Sequence, residues 1–85
     1  MNENIDALYR AIARTEHHIA TMQTLLRVLR VGHSNARRDA QLRAYLRREI
    51  DYYVGELAAL HAERAALQRA VNQLRKRKGG MPMKW

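Results

Sequence analysis

The chain has 85 residues, with 16 Lys and Arg against 8 Asp and Glu, a formal net charge of +8, no cysteine and one proline. This length holds at most one small domain, and the lack of cysteine excludes disulfide or thiolate-metal stapling. No run of 18 apolar residues occurs, which excludes a membrane-spanning helix, and the opening MNENIDALYR lacks the basic-then-apolar order of a secretion signal, so a cytoplasmic protein or a virion component is expected.

Ala, Leu, Arg, Gln and Glu dominate, and the only helix breakers are Pro82 and the glycines at 32, 55, 79 and 80. The composition therefore predicts an all-α fold. From Ile5 the apolar residues recur in steps of three and four. Ile5, Ile12, Ile19 and Leu26 take the a positions of a heptad and Leu8, Thr15, Met22 and Leu29 the d positions. Asn2 or Asn4 can cap the start, Asp6 lies in the first turn, and Gly32 suits the left-handed position that ends helices, which predicts a helix over 4–31.

The polar stretch 32–35, Gly-His-Ser-Asn, reads as a turn in which Ser34 or Asn35 caps the next helix and Asp39 falls in its first turns. A second seam follows: Leu46, Ile50, Tyr53, Leu57, Leu60, Arg64, Leu67, Val71, Leu74. It predicts a helix over 36–78, about 60 Å long against about 40 Å for the first. Gly55 sits off the seam, as a tolerated surface glycine or as a bend or close contact with another chain. Arg64 occupies an a position, where it either snorkels to solvent or pairs with an acid of a partner chain.

A short turn forces an antiparallel hairpin, so residues 1–78 read as a helical hairpin and 79–85 as an extended C-terminal tail. Aligning the seams pairs Ile19 with Tyr53, Ile12 with Leu60, Leu8 with Arg64 and Ile5 with Leu67. Residues from about Gln68 on then overhang with no cover from their own chain. The candidate partner-binding residues are accordingly Val71 and Leu74 on that overhang, Met81, Met83 and Trp85 in the tail, and Tyr45 and Tyr52, which fall seven apart with Ala59 and Ala66 on a second face. One seam makes a thin core, so a coiled-coil-like hairpin of this kind is expected to associate with itself into a four-helix or larger bundle, or to dock on a larger protein.

The cations cluster. Arg27, Arg30, Arg37, Arg38, Arg43, Arg47 and Arg48 surround the turn with only Asp39 as counter-charge, while Arg69, Arg75, Lys76, Arg77, Lys78 and Lys84 gather at the other end. Seven acids occupy the remainder, which gives a rod with basic ends and an acidic middle. Candidate anion or nucleic-acid contacts are Arg37, Arg38, Arg43, Arg47, Arg48, Arg75, Lys76, Arg77 and Lys78, although cations in a helix's last turn are favourable on dipole grounds alone. No helix-turn-helix, zinc-finger or single-stranded RNA-binding signature is present.

Ser34 is the only serine, which leaves poor material for nucleophilic catalysis. His17 and His18 are adjacent and point roughly 100° apart on a helix, with His33 and His61 remote in the alignment. No catalytic residue, metal site, cofactor or small-molecule substrate is expected. The stretch IDALYRAIARTEHHIA, residues 5–20, resembles the first helix of the all-helical chorismate mutases in its apolar spacing, which would imply arginines holding a dicarboxylate substrate. That family also places a lysine near the first turn, whereas every lysine here lies beyond position 75, and no site residue is carried over.

These features together describe a non-enzymatic basic helical hairpin that packs into a larger protein assembly, as a structural, adaptor or inhibitor component of the type found among bacterial and bacteriophage accessory proteins. The alternatives are a nucleic-acid-binding regulator using the arginine-rich ends and, more remotely, a small enzyme of the chorismate mutase type.

Overall fold

The chain is an all-α antiparallel hairpin of two helices. The computed structural model describes residues 2–79, with side chains described from 4 to 76. Helix α1 spans Asn2–Asn35 and α2 spans Ala40–Gly79, 34 and 40 residues long. The second helix is the longer, as the seam lengths predict. The two pack along their length into a rod of 69 × 22 × 13 Å whose radius of gyration, 19.5 Å, compares with about 12 Å for a compact domain of this size.

The corner lies one helical turn later than the sequence suggests. Gly32 does not adopt the left-handed conformation and no described glycine does. The helix instead runs on through His33, Ser34 and Asn35, and closes where the Ala36 N–H donates to the carbonyls of Gly32 at 3.0 Å and His33 at 3.3 Å. The missing side chain at Gly32 faces the other helix: a Cβ there would stand 3.6 Å from Leu46 Cδ1. Gly32 is thus a packing position inside α1, and Ala36, buried under the corner, is the last residue before the chain reverses.

Asp39, not Ser34 or Asn35, caps α2. Its Oδ1 accepts the Leu42 N–H at 2.9 Å and its backbone carbonyl accepts the Arg43 N–H at 2.9 Å, the bonds expected of a residue at the N-cap position. A carboxylate there also faces the positive end of the helix dipole, which favours Asp over the neutral candidates. Arg43 turns its guanidinium back to the Arg37 carbonyl at 3.3 Å, so one of the turn's arginines serves the corner itself.

Because the turn moves, the register moves with it. Arg64, expected opposite Leu8, reaches Glu16, and Leu60, expected opposite Ile12, lines a groove with Ala11, Thr15 and His18. Apart from Ala36 at the corner, the buried residues among those described are those of the two seams: Ile12, Thr15, Ile19 and Leu26 from α1, and Ile50, Leu60 and Val71 from α2. Burying each large aliphatic side chain contributes about 1.5–3 kcal/mol. Thr15 is the polar member of this core, and its hydroxyl donates to the Ala11 carbonyl at 2.9 Å, which keeps the group satisfied without breaking the seam.

The expected overhang from Gln68 is corrected by the same shift. Val71 has 0% of its surface exposed, the most deeply buried residue described, and Gln68, Ala70 and Leu74 are half-buried. Carried along the pair, the observed register sets Val71 opposite the first turns of α1, where Ile5 and Leu8 are themselves half-buried. The chain covers this part of its own second helix.

Candidate interaction surface

No helix of the described residues is long and apolar enough to cross a membrane. Among the described residues no group of three His, Cys, Asp or Glu side chains lies close enough to hold a metal ion. His17, His18 and His61 are exposed and His33 is half-buried.

The partner-binding candidates separate into three groups. Val71 belongs to the intramolecular core and Leu74 borders it. Tyr45 and Tyr52 remain open, at 50% and 59% exposure, on a flank of α2 about 100° round the helix from the seam. Met81, Met83 and Trp85 lie outside the described residues. The structure adds apolar residues that the seam analysis passed over: Val28 and Val31 near the end of α1, Leu42 in the first turn of α2, and Tyr9 and Val54, all exposed. Their signal in the sequence is an apolar residue off the heptad seam, and for Leu42 its place one turn ahead of Tyr45.

Most of these exposed apolar groups sit in the half of the rod that carries the turn. Val28, Val31, Leu42, Tyr45 and Tyr52 all lie within that half, and the Tyr52 ring packs edge-on against Tyr53, with centroids 4.9 Å apart and planes at 79°. Tyr53 is half-buried at the seam. It offers the exposed ring of Tyr52 an edge-to-face contact of the favoured kind.

The same half carries the arginine cluster. Arg37, Arg38, Arg43, Arg47 and Arg48 are exposed. Arg43 bonds to the Arg37 carbonyl and Arg47 pairs with Asp51 one turn on at 3.5 Å, both ends of that pair being about two-thirds exposed. An ion pair so open holds its partners weakly. Among the described residues Arg37, Arg38 and Arg48 have no acidic partner within salt-bridge distance. Arg27 and Arg30 of α1 add to the field and line a shallow groove with Gln23, Leu26, Val54 and Leu57.

At the other end Arg75 and Lys76 are exposed, and Arg77 and Lys78 continue α2 with side chains outside the described set. With α1 beginning at Asn2, the exposed carboxylate of Asp6 lies at the open end beside the basic stem.

Arg64 carries its guanidinium out from the seam to a partly exposed site, and its acidic partner comes from α1 of the same chain and not from a partner chain. It is paired within its own chain: Nη2 and Nε both donate to Glu16 Oε2, at 2.6 and 2.8 Å. Glu16 flanks the seam of α1, and the shifted register makes the contact.

No protein-family model matches the chain, and no curated protein and no solved structure matches it either.

Proposed function

We propose that the protein is a non-enzymatic helical hairpin that packs into a larger protein assembly, as a structural, adaptor or inhibitor component. The observation that carries this reading is the apolar face left open on the turn half, with Tyr45 and Tyr52 at 50% and 59% exposure on a rod only 13 Å thick. A layer of that thickness has one helix pair and no second layer to cover its outer sides. Exposed aromatic residues ringed by charge are the composition of protein-binding surfaces. The arginines around the turn supply orientation and association rate toward an acidic partner face.

The test is the size of the protein in extracts of its native cells. Wild-type chain should elute well above its 9.9 kDa monomer mass, and the double variant Tyr45→Ser/Tyr52→Ser should shift toward that mass with its helicity kept. Elution of the wild type as a monomer would overturn the reading.

A second reading, contact with nucleic acid, is favoured by one observation: the exposed arginines Arg37, Arg38 and Arg48 at the turn, which have no acidic partner among the described residues. Neutralising phosphates in this way gives binding that fades steeply with salt. A gel shift at low salt that disappears on raising ionic strength, and is weakened by Arg37→Gln/Arg38→Gln, supports it; no shift at low salt removes it.

A further inference from the structure

Resting on the reading of the hairpin as an assembling module, we propose that the partner is a second copy of this chain, packed antiparallel along the exposed flank of α2 about a two-fold axis at Tyr52. At 100° per residue, Tyr45, Arg48, Tyr52, Glu56, Ala59 and Glu63 fall on one stripe, within about 40° of the direction of Tyr52. All six are exposed. Among the described residues none of the six takes part in a salt bridge.

The order of residues along this stripe is self-complementary. Four residues before Tyr52 stands a cation, Arg48, and four after it a carboxylate, Glu56. Seven before stands a large ring, Tyr45, and seven after a methyl group, Ala59. An antiparallel two-fold at Tyr52 therefore sets Arg48 against Glu56 of the second copy and seats Tyr45 over Ala59 of the second copy, each contact made twice. That reciprocity is what an isologous interface requires. Parallel packing of the same stripe would instead put Arg48 on Arg48 and Glu56 on Glu56, and like charges in register oppose association.

The pairing also answers the charge layout of the rod. Centring on Tyr52, rather than on the middle of the 40-residue α2, staggers the two hairpins so that Arg43, Arg47 and Arg48 in the first turns of one α2 lie beside residues 56–61 of the other, next to Glu56 and Glu63.

The experiment is sedimentation equilibrium of the purified full-length chain from 1 to 100 µM at low salt. The wild type should be a dimer. Arg48→Glu should raise the dissociation constant at least tenfold, and the charge swap Arg48→Glu/Glu56→Arg should restore it, both positions being exposed and outside the core. Because the chain has no cysteine of its own, Tyr52→Cys should also give a disulfide-linked dimer on mild oxidation. A purified chain that stays monomeric at 100 µM, or an Arg48→Glu variant that dimerises as the wild type does, overturns the pairing. If the purified chain is monomeric while the chain in native extracts remains in a larger complex, this pairing falls and the assembly reading stands.

Discussion

Arg64 of α2 and Glu16 of α1 form the one ion pair that ties the two helices together among the described residues, with both donor nitrogens on a single carboxylate oxygen. Their side chains are 39% and 49% exposed, so water screens the attraction and its net contribution is modest. A double-mutant cycle with Glu16→Gln and Arg64→Gln should give a coupling of about 0.5 kcal/mol that shrinks toward zero in molar salt. A coupling that persists at high salt would contradict this picture of a solvent-screened pair.

The corner makes a prediction of opposite sign for its two readings. Gly32 is helical and a Cβ there meets Leu46 at ordinary van der Waals distance, 3.6 Å. Gly32→Ala should therefore stabilise the hairpin by about 0.5–1 kcal/mol through reduced backbone freedom of the unfolded chain. Urea unfolding measures it. Destabilisation of similar size would place Gly32 in the left-handed conformation that a helix stop demands.

Asp39 gives an independent check of the same corner. Loss of its side-chain bond to the Leu42 N–H in Asp39→Ala should lower stability by about 1 kcal/mol, with Asp39→Asn close to wild type. The variants Ser34→Ala and Asn35→Ala, outside the cap, should change stability by less than about 0.5 kcal/mol.

Val71 distinguishes a covered stem from an overhanging one. With 0% of its surface exposed, truncation to alanine removes fully buried methyl groups and should lower stability by roughly 2 kcal/mol. On an uncovered stem the same change would leave the stability of the isolated hairpin unaltered.

Much of the fold is legible in the heptads. Ile12, Ile19, Leu26, Ile50 and Leu60 stand at seam positions and are buried, because alternation by three and four can only be satisfied by laying one helix stripe against another. The corner is less legible. Gly32 carries the usual mark of a helix end, yet helix termination depends on which backbone groups find partners, and here the bond from Ala36 to Gly32 and the cap at Asp39 decide it. One misplaced turn then moves every cross-helix pair, which is why Val71 reads as uncovered and Glu16 goes unnoticed as the partner of Arg64. The exposed stripe of Tyr45 and Tyr52 is legible because it repeats every seven residues off the seam. Leu42 and Val28 are not, since a lone apolar residue on a helix surface carries no period of its own.

The most direct measurement of the central claim, that this thin hairpin completes its core surface by pairing with another copy, is the melting temperature as a function of concentration. By mass action the full chain should melt higher as it is concentrated, by roughly 4 °C for each tenfold increase, and Tyr52→Ser should abolish the dependence. A wild-type melting temperature that stays constant from 1 to 100 µM would contradict the account.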